Sequence, residues 1–251
     1  MYRVAKIENI VDETPTIKTF FLTDDSYPEP GQFYMLWIPG VDEFPMSISY
    51  TGKIKGFTVK RIGAGTTAMH SLKEGDKLWL RGPYGHGFKI ERGRALVVGG
   101  GSGMATLAPL IEKLEDPDVV IAARTKNELL FTDRFSEANV HLATDDGSAG
   151  YRGFATELAE KLLQKEDYKI IYTCGPEQMM VGMIELAKRY SVDIQASLER
   201  LMKCGIGICD SCSVNGYRVC VDGPVFQRDV LLSMSDLGKY KRDESGRRVP
   251  L

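Results

Sequence analysis

Apolar and polar residues alternate in short runs along the N-terminal third of the chain. Val4-Ala5-Lys6-Ile7-Glu8, Ile17-Lys18-Thr19-Phe20-Phe21-Leu22, Phe33-Tyr34-Met35-Leu36-Trp37-Ile38, Phe57-Thr58-Val59-Lys60 and Leu78-Trp79-Leu80 alternate or are rich in strand formers. Pro28-Glu29-Pro30-Gly31, Pro39-Gly40 and Gly82-Pro83 punctuate them. Several short strands so closely spaced predict a small antiparallel β-barrel or sandwich. One short helix is expected from Thr66 to Leu72.

At about Arg92 the pattern changes. Ala95-Leu96-Val97-Val98, Val119-Val120-Ile121-Ala122-Ala123, Val140-His141-Leu142-Ala143, Ile170-Ile171-Tyr172-Thr173 and Ile194-Gln195-Ala196-Ser197-Leu198 are apolar runs of the kind buried in parallel sheets. Helical stretches separate them: one ending near Leu114, one over Thr156–Gln164, and an amphipathic one over Glu177–Arg189 with Met180, Met183, Ile184 and Ala187 on one side. Strands alternating with helices predict a doubly wound α/β domain. After Glu199, cysteine and glycine dominate until Gly223, and the stretch from Ser235 to Leu251 reads as polar and irregular. The expected division is a barrel over residues 1–91, an α/β domain over 92–199 and a small cysteine segment with its tail over 200–251.

The chain has 251 residues, enough for two compact domains and an appendage. With 43% hydrophobic residues a sizeable core is available, and 26% charged residues suit a water-facing surface. Lys plus Arg number 32 against 34 Asp plus Glu, so the net charge of -2 gives no sign of nucleic-acid binding. No apolar run approaches the roughly 20 residues that span a bilayer, and the first residues lack the apolar stretch of a secretory signal. The expected location is cytoplasmic.

Four of the five cysteines fall between Cys204 and Cys220; Cys174 stands apart. In a reducing compartment such a cluster points to metal rather than to disulfides. The spacing C-x4-C-x2-C-x7-C begins as the plant-type ferredoxin pattern does, with a more distant fourth ligand. Gly205 and Gly207 let the first loop curl so that backbone N–H groups face cluster sulfur. Cys204, Cys209, Cys212 and Cys220 are therefore the expected ligands of a [2Fe–2S] cluster. The competing reading is zinc held by the same thiolates, but zinc sites favour paired CxxC knuckles and only Cys209–Cys212 has that spacing.

Gly99-Gly100-Gly101-Ser102-Gly103 follows a predicted strand and opens a helix. That geometry lays backbone N–H groups and a helix dipole against a pyrophosphate. The match to G-x-G-x-x-G is imperfect, because Met104 occupies the third glycine position. Cys174-Gly175-Pro176 ends a later strand, and Thr144-Asp145-Asp146-Gly147 ends another. All three loops belong to the carboxyl edge of a parallel sheet, where ligands bind. Cys174 also suits a buried core position, and the acids a solvated turn.

Together the glycine turn and Cys174-Gly175-Pro176 resemble the NAD(P)-binding half of the ferredoxin–NADP reductase superfamily. In that superfamily an N-terminal barrel binds flavin through R-x-x-[S/T]. Phe44-Pro45-Met46-Ser47 occupies the corresponding place, with phenylalanine where the arginine is usual. The resemblance implies FAD contacts at Pro45, Met46 and Ser47, with Ser47 near the reactive flavin nitrogen. It implies others at Val59, Lys60 and Arg61, where Lys60 or Arg61 replaces the missing charge, and at Gly65 and Thr66 on the diphosphate. It assigns Gly99, Gly100, Gly101, Gly103, Cys174, Gly175 and Pro176 to NAD(H), with Cys174 bordering the nicotinamide. Gly82-Pro83-Tyr84-Gly85-His86-Gly87-Phe88 looks like the superfamily's domain-joining loop.

The cysteine segment, Ser197-Leu198-Glu199 and Asp222-Gly223-Pro224-Val225-Phe226 are similar to one branch, the electron-transfer subunits of type B dihydroorotate dehydrogenase. That likeness implies FAD, a [2Fe–2S] cluster and NADH, and a partner: the FMN-containing catalytic subunit of pyrimidine biosynthesis, in a heterotetramer of two plus two chains. The x7 spacing implies a shorter loop than is usual there, with no ligand lost. Subunits of hydrogenases and of NADH-dependent ferredoxin–NADP oxidoreductases share these cofactors and stay open as an alternative. A non-enzymatic sensor is the reading from another class. Arg124, after the second α/β strand, is the one candidate for a 2′-phosphate contact.

Overall fold

A computed structural model describes residues 1–251. The alternating N-terminal part folds into β1 (Arg3–Thr14), β2 (Ile17–Thr23), β3 (Phe33–Ile38), β4 (Asp42–Ser47), β5 (Ile54–Lys60), the helix α1 (Ala64–His70) and β6 (Lys77–Tyr84). The strands form one antiparallel sheet in the order β4-β3-β6-β1-β2-β5, which curls until its edges β4 and β5 touch. Period-two patterning puts Ala5, Ile7, Phe20, Leu22, Tyr34, Leu36, Phe57, Leu78 and Leu80 inside. The segment carrying Phe44-Pro45-Met46-Ser47 is itself a strand, which the sequence pattern does not announce. Proline interrupts it, and it is tolerated because β4 is an edge strand bonded only to β3.

The second unit contains β7 (Ala95–Gly100), α2 (Gly103–Ile111), β8 (Asp118–Ala123), β9 (Asn139–Thr144), β10 (Tyr151–Arg152), α3 (Ala155–Leu163), β11 (Ile170–Cys174), α4 (Glu177–Arg189) and β12 (Asp193–Ser197). The remaining elements are β13 (Ser213–Val214), β14 (Tyr217–Arg218), β15 (Val225–Gln227), α5 (Arg228–Ser233), β16 (Tyr240–Arg242) and β17 (Arg248–Pro250). The large sheet runs β10-β9-β8-β7-β11-β12-β15, parallel except for β15. Leu96 and Val98 pack with α3 and α4 on one face, and Val97 packs with α2 on the other, so both faces are buried. Strand order reverses between β7 and β11, and the loops after these two strands flank that switch point.

Two departures from the sequence reading concern the C-terminal part. The chain returns after the cysteines to add β15 to the nucleotide sheet, so the segment is built into the fold and does not simply hang from it. The polar stretch after Ser235 forms a β-hairpin, β16 with β17, rather than irregular chain.

At the opposite end of the large sheet, Asp118 opens β8 as a buried carboxylate. It accepts hydrogen bonds from Arg94 Nε at 3.0 Å, His141 Nε2 at 2.9 Å and the Tyr168 hydroxyl at 2.9 Å. Burial alone would raise its pKa, but the bonds from His141, Tyr168 and Arg94 outweigh it and hold the carboxyl below its usual value. A depressed native pKa means the unfolded chain takes up the proton first. The stabilisation is therefore complete above the ordinary carboxylate range and disappears as pH falls through the lower native value. Asp118→Asn is expected to cost about 1–2 kcal/mol at pH 7, allowing for partial screening. In urea titrations its deficit should narrow below about pH 4. A deficit independent of pH would contradict this assignment.

Candidate functional site

Backbone conformation shapes the cysteine loop. Gly205 (φ 70°), Gly207 (φ 81°) and Asp210 (φ 58°) sit in the left-handed region, which curls Cys204–Cys212 tightly. As a result the N–H groups of Ile206, Ile208 and Cys209 donate to Cys204 Sγ at 3.5, 3.3 and 3.5 Å. The fourth cysteine is brought back by a two-residue hairpin. Asn215 (φ 48°) and Gly216 (φ 85°) turn β13 into β14, so x7 is filled by one minimal hairpin. Asn215-Gly216 is a local hairpin signal, legible without the fold.

The four cysteines come together on one loop and its hairpin: Cys209 interacts with Cys204, and Cys220 with both Cys212 and Cys204. Cys209 is exposed, whereas Cys212 and Cys220 are buried with Val214 and Val219. Burial would raise the Cys209 thiol, but hydrogen bonds from Ser211 and Cys204 outweigh it and bring it to about 6. Burial, followed by Cys212, pushes Cys220 up to about 12. Four thiols, with three backbone N–H groups already donating to one of them, fit a [2Fe–2S] cluster, and the single CxxC knuckle differs from the paired knuckles that zinc favours.

The nucleotide loops meet at the switch point. Cys174 and Gly99 are in register across β11 and β7. A Cβ at Gly103 would lie 2.4 Å from the Cys174 carbonyl oxygen, and one at Gly100 would lie 2.7 Å from Pro176 Cδ. Glycine is therefore what lets the two loops touch. At Gly101 (φ 53°) the space beyond the backbone is open, as a phosphate cradle requires. Cys174 is partly buried. Desolvation pushes its thiol up to about 12 against hydrogen bonds from Thr106 and Ser197, so it stays neutral at pH 7. Asp146 accepts the N–H and the hydroxyl of Ser148 and so stabilises its own turn. Arg124 forms a two-point ion pair with Glu128.

On the barrel side, Ser47 closes β4 opposite Phe33 and is half-buried. The Phe44 ring lies against Gly65, where a Cβ would come within 2.7 Å of it. Lys60 ends β5, and Arg61 is exposed beside the open backbone of Gly63. This leaves cationic side chains beside open space at Gly63, a fit for a diphosphate in spite of Phe44. The Thr66 hydroxyl accepts the N–H groups of Ile62 and Gly63 at 2.9 and 3.0 Å, so it closes its own loop.

Residues 199–232 match the iron–sulfur cluster binding domain of dihydroorotate dehydrogenase B. Over 246 residues the chain is 48% identical to a Thermoplasma volcanium protein named "Probable dihydroorotate dehydrogenase B (NAD(+)), electron transfer subunit", covering 98% of this chain and 97% of the relative. The chain belongs to the dihydroorotate dehydrogenase B electron-transfer subunits. A Methanocaldococcus jannaschii relative of the same name is 45% identical over 253 residues, with 98% and 97% covered. The solved structure of an NADH-dependent reduced ferredoxin–NADP oxidoreductase superposes with a TM-score of 0.82 at 30% identity, over 93% of each chain. The FAD/NAD binding domain of a Vibrio cholerae nitric oxide dioxygenase shares the fold, with a TM-score of 0.67 at 22% identity over 77% of this chain and 97% of that one. No helix is long and apolar enough to cross a membrane.

In this electron-transfer subunit three arginines connect the parts, and none is apparent from local sequence. Arg134, from the nucleotide domain, donates to the Ser49 carbonyl at 2.8 Å and stacks 3.6 Å over the Tyr50 ring in the barrel. Arg200, at the start of the cysteine segment, forms a buried two-point ion pair with Glu177 at the start of α4. Arg81 of β6 reaches the Cys204 carbonyl. Their partners are 85, 23 and 123 residues away, beyond any local pattern.

Proposed function

We propose that the chain takes electrons from NADH to bound FAD and on to a [2Fe–2S] cluster held by Cys204, Cys209, Cys212 and Cys220. It would deliver them to the FMN-bearing catalytic subunit of a dihydroorotate dehydrogenase, in a cytoplasmic assembly of two chains of each kind. The observation that carries this reading is the curled four-cysteine loop, whose backbone N–H groups donate to Cys204 Sγ and which Arg81 ties to the barrel at the Cys204 carbonyl. We assign residues 1–91 to flavin, 92–199 to nicotinamide and 200–251 to the cluster, with β15 lent back to the nucleotide sheet.

Flavin supplies the step from two-electron to one-electron chemistry that lets NADH feed a cluster. The chain's own residues supply position. Pro45, Met46 and Ser47 would line the flavin edge, with Ser47 beside its reactive nitrogen. Val59, Lys60, Arg61, Gly65 and Thr66 would hold its diphosphate, Lys60 and Arg61 by charge and Thr66 by fixing the loop. Gly99, Gly100, Gly101 and Gly103 would present backbone N–H groups to the dinucleotide. Cys174, Gly175 and Pro176 would wall the nicotinamide, Cys174 as a neutral surface. The exposed Cys209, flanked by the exposed Ile206 and Ile208, leaves the loop open to a partner.

Anaerobic purification with native partners tests the whole reading. Expected are flavin and iron–sulfur absorption, bleaching by NADH, and a co-purifying dihydroorotate dehydrogenase catalytic chain. The likeness to the NADH-dependent ferredoxin–NADP oxidoreductase supports a second assignment, which recovery of that enzyme's other subunit would favour. Absence of flavin and iron from the faithfully purified protein would overturn both.

A further inference from the structure

Arg81 occupies a junction. On β6 it lies opposite Met35 of β3, and its side chain is 13% exposed. One edge of the fork donates to both carboxylate oxygens of Glu43, at 2.6 and 3.0 Å. The remaining nitrogen, Nη1, donates to the Cys204 carbonyl at 2.6 Å. Glu43, itself 20% exposed, is held further by the Tyr2 hydroxyl at 2.8 Å. The cysteine loop rests on the same patch: a Cβ at Gly205 would lie 2.9 Å from Met35 Cγ and 3.7 Å from Arg81 Nη1. The barrel therefore places one permanent cation directly on the backbone of the first thiolate residue, with its counter-ion on the far edge of the fork.

Adding an electron to a cluster adds negative charge at this loop. A cation near it favours that state and raises the reduction potential; an anion does the opposite. The nearer charge here is Arg81, and Glu43 moderates it. We propose that the Arg81–Glu43 pair is a positioning and tuning device, which fixes the cysteine loop to the flavin barrel and sets the cluster's reduction potential. This rests on the cluster reading above and adds to it a named joint between the two cofactor-bearing parts.

The test is an EPR-monitored redox titration of the anaerobically purified holoprotein, with iron measured per chain. Arg81→Gln leaves Glu43 unopposed and is expected to shift the midpoint to more negative potential. Glu43→Gln leaves Arg81 unmoderated and should shift it to more positive potential. Arg81→Lys keeps the charge but not the fork, and should lie closer to wild type than Arg81→Gln does. Opposite shifts separate tuning from simple disruption, which would move both glutamine variants in the same direction. If Arg81→Gln retains no iron, Glu43→Gln decides alone. A negative or absent shift in Glu43→Gln overturns the proposal, as do like-signed or absent shifts at normal iron content. Wild-type protein devoid of iron would overturn the cluster reading and this proposal with it; iron present with unmoved potentials overturns this proposal only.

Discussion

Cys212→Ser is expected to empty the cysteine segment of iron while leaving flavin and nicotinamide chemistry in place. Cys212 is 2% exposed, paired with Cys220 and closed in by Val214 and Val219. Burial keeps solvent from replacing the lost ligand, and serine does not ionise as a thiol does. Changes outside the ligand set of a metal site already cost about 10–100-fold. Loss of a buried ligand should lower reduction of the partner subunit by at least about 100-fold. NADH-dependent reduction of a small dye should continue, because the barrel and the nucleotide loops contain none of the four thiols. Cys209→Ser should be milder in iron content, since Cys209 is exposed and can recruit solvent. Iron and sulfide assays, flavin absorbance and partner-reduction rates read the three effects separately. Full iron content in Cys212→Ser would refute the ligand assignment, and unchanged partner reduction without iron would refute the relay.

What sequence made readable was whatever is carried by neighbouring residues. The amphipathic period of α4 marks Glu177–Arg189 without error, and the buried runs of β7, β8, β9, β11 and β12 lie within a residue or two of their observed ends. The glycine turn, Cys174-Gly175-Pro176 and the four cysteines are contiguous motifs whose chemistry is local. What stayed hidden is non-local. β15 has three residues and becomes a strand only because β12 offers it an edge. β4 contains Pro45 and is a strand only because β3 bonds one side of it. Arg81, Arg134 and Arg200 look like ordinary surface cations until the fold brings Cys204, Ser49 and Glu177 to them. The long-range arginines assemble the site, while the local motifs furnish its parts.

The largest effect on the nicotinamide side is expected from a single methyl group at Gly103. Its Cβ would lie 2.4 Å from the Cys174 carbonyl oxygen, 2.5 Å from the carbonyl carbon and 2.6 Å from the Gly175 nitrogen. These are backbone atoms, so no rotamer change relieves the clash; the β7–α2 turn and the β11–α4 loop must separate. Overpacking of this kind costs about 1–3 kcal/mol. If the same displacement opens the dinucleotide cradle, Gly103→Ala should raise the KM for NADH by about 10–100-fold and lower the unfolding midpoint as well. Gly101→Ala is the informative companion. No atom lies within 4 Å of its added methyl, and its φ of 53° carries only a modest backbone penalty, roughly 1–2 kcal/mol. That methyl enters the space where phosphate is expected, so its effect should fall on NADH more than on packing. Stopped-flow flavin reduction at varied NADH, together with thermal unfolding, separates the two substitutions. A destabilised Gly103→Ala with normal NADH kinetics would mean that these glycines serve packing alone and that the nicotinamide binds elsewhere.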